Sequence, residues 1–139
     1  FAKDKYLTKI TPSKSAVKNA EKGLNSFKYI GKADIAQSLI VQNNIILGVE
    51  AAEGTDELIK RCSMYKKKGD KGILIKLTKY NQNKILDIPV IGLKTIKNII
   101  RFNYEGIYLE KNNCIIIDKE EVIKLCNSNN IFLATIEKN

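Results

Sequence analysis

Helix-type and strand-type segments alternate along the chain, and this alternation predicts an α/β domain, a mixed sheet with helices packed on its faces. Two further observations support that class. Short apolar runs of strand type, among them Ile45 to Val49, Gly72 to Leu77 and Ile131 to Ile136, lie between clusters of turn-forming residues. The intervening segments carry helix start and stop signals rather than the closely spaced turns of an all-β chain. A length of 139 residues fits one domain. At this size roughly two-thirds of the unfolded surface is buried on folding, enough for a core without a metal or disulfide staple.

The elements follow in order. Thr11-Pro12 reads as an N-cap followed by proline at the first helical position, and Val17, Ala20, Leu24 and Phe27 recur at helical spacing, which predicts an amphipathic helix of about four turns. Lys14, Lys18 and Lys22 line another face of it, a stripe that either is solvated or touches an anionic surface. Leu39 to Gln42 and Ile45 to Val49 flank Asn43-Asn44, the signature of a two-residue hairpin. Gly54 allows a tight turn, Thr55 is a good N-cap, and helix is expected from Asp56 to Lys68 with Gly69 as its stop.

After the strand Gly72 to Leu77, the segment Thr78 to Leu86 is polar and without periodicity, so it reads as a loop closed by Asp87-Ile88-Pro89. Gly92 opens a helix from Lys94 to Phe102. Gly106 to Leu109 and Cys114 to Ile117 look like strands around Lys111-Asn112-Asn113, joined as a hairpin or as part of a crossover. Asp118 is placed to cap a helix ending near Asn127, and Ile131 to Ile136 is the final strand. Residues 1–33 form a lead-in and helix, and 34–139 the α/β core. A start at Phe1, with Met64 the sole methionine, leads us to expect the second part of a longer chain.

Composition narrows the chemistry. Histidine is absent, which removes Ser-His-Asp and Cys-His nucleophile systems and histidine-rich metal sites assembled within this chain. Cys62, Cys114 and Cys126 are odd in number and contain no Cys-x-x-Cys pair, so neither a disulfide framework nor a zinc ribbon is expected, and the thiols read as reduced. No P-loop or Gly-x-Gly-x-x-Gly turn is present. The formal charge of +9 attracts anions, whether phosphorylated metabolites, anionic lipid or nucleic acid, although a chain this rich in Lys, Asn and Ile can become basic through compositional bias alone.

What chemistry remains belongs to carboxylates, lysines and a hard metal. Glu50, Glu53 and Asp56 surround the glycine turn at the carboxyl end of a predicted strand, where α/β proteins hold ligands. For Asp56 and Glu57 the helix dipole is a sufficient alternative explanation. Asp34 and Asp87 also lie near strand ends or loops, and such oxygen ligands suit magnesium or manganese. Asp87 interrupts the apolar run Leu86 to Ile91 and would need a partner if buried. Lys76, Lys79, Gln82 and Lys84 precede it on one segment, which either cradles a phosphate or is simply a charged loop. Tyr65 followed by Lys66, Lys67 and Lys68, with Tyr80 near Lys79, admits a competing reading as nucleic-acid contacts.

Four motifs in order then carry a resemblance: Asp34-Ile35-Ala36-Gln37, Val49 through Asp56, Lys76 and Lys79 running to Gln82, and Asp87-Ile88-Pro89 followed by Ile91-Gly92. Together with the lead-in Leu7-Thr8-Lys9 and Pro12, they resemble the carboxyl-terminal domain of the LpxI-type UDP-2,3-diacylglucosamine pyrophosphatases over nearly the whole chain. The resemblance implies one domain of a two-domain, metal-dependent hydrolase of bacterial lipid A biosynthesis, its amino-terminal domain lying outside this chain. Such an enzyme cleaves the diphosphate of UDP-2,3-diacylglucosamine to UMP and 2,3-diacylglucosamine 1-phosphate. It further implies a catalytic aspartate at Asp87, substrate contacts at Lys76, Lys79, Gln82, Gln37 and Thr55, and a divalent cation, magnesium or manganese, held among Asp87, Glu50, Glu53, Asp56 and Asp34. The expected setting is the cytoplasmic side of a Gram-negative inner membrane, with peripheral attachment, contact to its own amino-terminal domain, homodimer contacts and no nucleic acid. Tyr80, Asn83 and Ile85 depart from the family pattern of Pro, Asp and Arg, which bears on substrate contacts in that loop. The alternative is a non-catalytic basic domain that binds nucleic acid or anionic lipid.

Overall fold

A computed structural model describes residues 1–30, 38–81 and 84–138, with the backbone alone for 79–81 and 84–87. Its centre is a five-stranded sheet in the order β2-β1-β3-β7-β9. The strands are β1 (Ser38–Gln42), β2 (Ile45–Val49), β3 (Ile73–Lys76), β7 (Gly106–Glu110) and β9 (Phe132–Ile136). Strands β3, β7 and β9 run parallel, while β1 is antiparallel to both β2 and β3, so the predicted mixed sheet is present. Helix α1 (Lys14–Ile30) covers one face, and α2 (Thr55–Ser63), α3 (Leu93–Arg101) and α4 (Lys119–Ser128) pack with the other.

Strand alternation sorts the core between these faces. Leu39, Val41, Ile73, Ile75, Tyr108 and Phe132 pack toward α1, and Ile40, Leu74, Ile107 and Leu133 toward α2, α3 and α4. Each fully buried Leu or Ile contributes roughly 1.5 to 3 kcal/mol. The amino-terminal segment closes the outer edge of β9: Leu7 N donates to Leu133 O at 2.8 Å and Thr135 N to Lys5 O at 2.9 Å. An exposed strand edge is thereby removed.

Several elements differ from the sequence reading for identifiable reasons. Ser13, not Thr11, caps α1, its Oγ accepting from Ala16 N at 3.1 Å. Val17 is exposed, and the buried stripe is instead Ala16, Asn19, Ala20, Gly23 and Phe27. A Cβ on Gly23 would overlap the Ile75 side chain, so close approach of helix to sheet selects small residues that an apolar count overlooks. The Asn43-Asn44 hairpin forms as read, both residues having positive φ.

Helix α2 ends at Ser63 rather than Lys68. The following main chain is held by side chains of the hairpin instead: Gln42 Nε2 donates to Lys67 O at 2.8 Å and to Asp70 O at 2.7 Å, and Asn43 Nδ2 donates to Lys68 O. The expected Thr78–Leu86 loop contains two short antiparallel strands, β4 (Lys79–Asn81) and β5 (Lys84–Asp87), with Lys79 opposite Asp87. Their polar composition hid the pairing, because cross-strand register leaves no apolar period in so short a segment. The next strand, β6 (Val90–Ile91), pairs in parallel with β8 (Ile115–Ile116), so β7 and β8 are not a hairpin. Asp118 occupies the N-cap position of α4, but in a left-handed conformation and without a side-chain cap bond.

Candidate active site

Because β1 is antiparallel to its neighbours, its first residue lies at the same sheet end as the last residues of β2, β3, β7 and β9. Ser38 stands opposite Lys76, and Lys76 opposite Leu109. Glu50 leaves β2 there and its N–H donates to Ser38 O at 2.9 Å. This is the sheet end at which α/β folds usually place ligands.

Thr55 is the first residue of α2, following Gly54 at φ 85°, and its hydroxyl does not cap the helix. It donates to Glu50 Oε1 at 2.7 Å. With that proton committed, the buried Ser38 hydroxyl donates to Thr55 Oγ1 at 3.1 Å. The chain from Ser38 through Thr55 to Glu50 fixes the carboxylate at the mouth of the sheet. Ser38 carried no sequence signal.

The other acids of the turn go elsewhere. Glu53 pairs with Arg61 Nη2 at 2.7 Å, and that guanidinium lowers the Glu53 pKa below the ordinary carboxylate value. Asp56 accepts from Asn98 Nδ2 at 3.1 Å, tying α2 to α3. Among the described residues no three acidic or thiol side chains gather closely enough to hold a metal ion. Glu50, Glu53 and Asp56 thus form no cation cage by themselves. Asp34, Gln37 and Gln82 lie outside the described residues.

Lys76 is only 6% exposed at the end of β3, and its Nζ donates to Val90 O at 2.9 Å. An ammonium is buried at high cost unless it is hydrogen bonded. Val90 begins the segment just after Asp87, so this lysine joins the sheet end to the exit of the β4–β5 hairpin. Asp87 closes β5 opposite Lys79, which brings the backbone of both to one hairpin root. Lys76, Lys79 and the Asp87 segment are therefore neighbours in the fold.

Lys66 is not available to an outside ligand. Its Nζ donates to Phe102 O at 3.0 Å and Asn103 O at 2.6 Å and sits 4.4 Å from the Tyr104 ring centroid, and burial lowers its pKa. The supposed basic run at 66–68 thus spends one lysine on fastening α3. All three thiols are free and buried, and burial pushes Cys62 up to about 11 and Cys114 and Cys126 up to about 12. No described helix is long and apolar enough to cross a membrane.

Two charged side chains escaped the sequence reading, Glu110 buried and Lys138 partly buried. Glu110 ends β7 and Lys138 follows β9, and they meet at 3.5 Å. An acid terminating the apolar strand Gly-Ile-Tyr-Leu-Glu is the same signal that drew attention to Asp87.

The model of the family described as LpxI C-terminal domain matches residues 3–134. The chain is also similar to the UDP-2,3-diacylglucosamine pyrophosphatase LpxI of Caulobacter vibrioides, at 29% identity over 137 residues, covering 94% of this chain and 49% of that relative. It spans about half the length of the curated relative it matches.

Proposed function

The chain belongs to the LpxI C-terminal domain family, and on that premise we propose that it is the carboxyl-terminal part of a hydrolase of lipid A biosynthesis that splits the diphosphate of UDP-2,3-diacylglucosamine into UMP and 2,3-diacylglucosamine 1-phosphate. The observation that carries this reading is the buried Lys76, whose bond to Val90 O unites the lysine-bearing strand end with the Asp87 segment at the sheet end where α/β folds usually place ligands. In this reading Asp87 orients the water that attacks phosphorus. Lys76 and Lys79 hold phosphate oxygens, and a water-poor strand end strengthens their attraction to charge that grows in the transition state. Thr55 serves chiefly by fixing Glu50. Gln37 and Gln82 complete the substrate contacts.

A divalent cation, magnesium or manganese, belongs to the same proposal as a requirement of the whole enzyme. The described carboxylates by themselves form no cage for it. Lys14, Lys18 and Lys22 face solvent along α1, which supports peripheral attraction to an anionic membrane surface on the cytoplasmic side.

The test is UMP release from UDP-2,3-diacylglucosamine by the full-length protein and by this domain. The full-length protein is expected to release UMP, to stop on chelation and to recover with magnesium. Absence of UMP from the full-length protein with either cation, together with salt-sensitive binding to anionic vesicles, would replace the hydrolase by the non-catalytic basic domain.

A further inference from the structure

The β4–β5 hairpin leaves the sheet at Thr78, a fully buried residue whose main chain is held in an unusual way. Glu110 Oε1 accepts from Thr78 N at 3.4 Å, and Lys138 Nζ donates to Thr78 O at 3.0 Å. Both backbone groups at this root are thus gripped by one acid–base pair, itself closed at 3.5 Å. Asn113 Nδ2 donates to the other Glu110 oxygen, and the Lys138 ammonium lies 4.8 Å from the Phe27 ring centroid at the end of α1. Glu110 is 3% exposed, so these bonds act where water competes poorly. The Thr78 hydroxyl, by contrast, is buried without a partner among the described residues. The fold secures the direction of the chain here, not the side chain. At the other root, Lys76 holds Val90 O.

We infer that Glu110, with Lys138, is a positioning residue for the hydrolytic site: it fixes the entrance of the hairpin and thereby the placement of Lys79 and Asp87. The inference rests on the role given to Asp87 above. Glu110 meets no substrate. Its action passes through the Thr78 backbone, which aims a two-stranded arm whose other root is held by Lys76.

The experiment uses the full-length protein and the variants Glu110→Ala, Glu110→Gln and Lys138→Met, with two independent readouts. Hydrogen exchange of the amides of residues 79–81 and 84–87 reports the arm without reference to chemistry. In Glu110→Ala it is expected to speed by about tenfold or more, the free-energy scale of one lost charge-assisted bond, while α2, α3 and α4 keep their protection. The kcat for UMP release is expected to fall about thirtyfold with KM changed less than about threefold, and Glu110→Gln, which still accepts from Thr78 N, should recover most of it. Lys138→Met, removing a more peripheral group, should show the same split in milder form and serves where Glu110→Ala fails to fold. Unchanged exchange in the arm overturns the clamp. Faster exchange with unchanged kcat overturns its link to catalysis. A parallel Asp87→Asn variant separates the two claims: if it alone keeps full activity, the role of Asp87 falls and the clamp is judged by the exchange data.

Discussion

The turn from Glu50 to Asp56 and the corner where β3, β7 and the β4–β5 hairpin meet use the same kinds of residue to different ends. In the turn, Glu53 and Arg61 form an ion pair with side chains 27% and 43% exposed. Pairs of that kind contribute little, because water already solvates both partners. In the corner, Lys76 and Glu110 are nearly excluded from solvent and each holds a main-chain group, Val90 O and Thr78 N. On the proposed reading the centre of the site lies at the corner rather than at the cluster of acids, since burial of a charge at a strand end persists only where the fold or a ligand repays the desolvation.

The sharpest way to break this contrast is Asp87→Asn in the full-length protein. Loss of a group that orients the attacking water is expected to lower kcat for UMP release about a thousandfold with an unchanged melting temperature. Next, Lys76→Met keeps the bulk of the stem but removes the ammonium. It should lower kcat/KM by about ten- to a hundredfold, and near-normal turnover would return the corner to a purely structural role.

A smaller effect comes from pH. The buried thiols have folded pKa values of about 11 for Cys62 and about 12 for Cys114 and Cys126, against an ordinary 9.0. Between these limits the unfolded chain has released protons that the folded chain retains, so the thiols' contribution is full below pH 9 and is lost as pH rises toward 12. Melting temperature should fall across that window, and substituting Cys126 by Ala should flatten the fall when the two slopes are compared. The smallest expected effect is that of Glu53→Gln. Its pair is exposed, so activity and melting temperature should both stay near wild type, and a large loss of UMP release would restore the turn as the chemical centre.

Much of the fold was legible because its signals are local. Asn43-Asn44 can adopt the positive φ of the hairpin, and Gly92 marks the start of α3. The apolar runs of β3 and β9 report burial on both faces. What escaped depends on partners distant in sequence. The shortening of α2 follows from Gln42 and Asn43 taking over the carbonyls of residues 67, 68 and 70, and the β4–β5 pairing follows from register rather than composition. For the candidate site, Lys76 stands in a motif, whereas Ser38 and Lys138 acquire meaning only when segments 17 and 60 residues away bring Thr55 and Thr78 to them.

Hydrogen exchange of the full-length protein with and without UDP tests the location of the site most directly. Protection is expected at the carboxyl end of β3, in β5 and β6, and at the start of β1, with little change from Glu53 to Arg61. Protection confined to the α2 turn, with the Lys76–Val90 corner unaffected, would contradict the account.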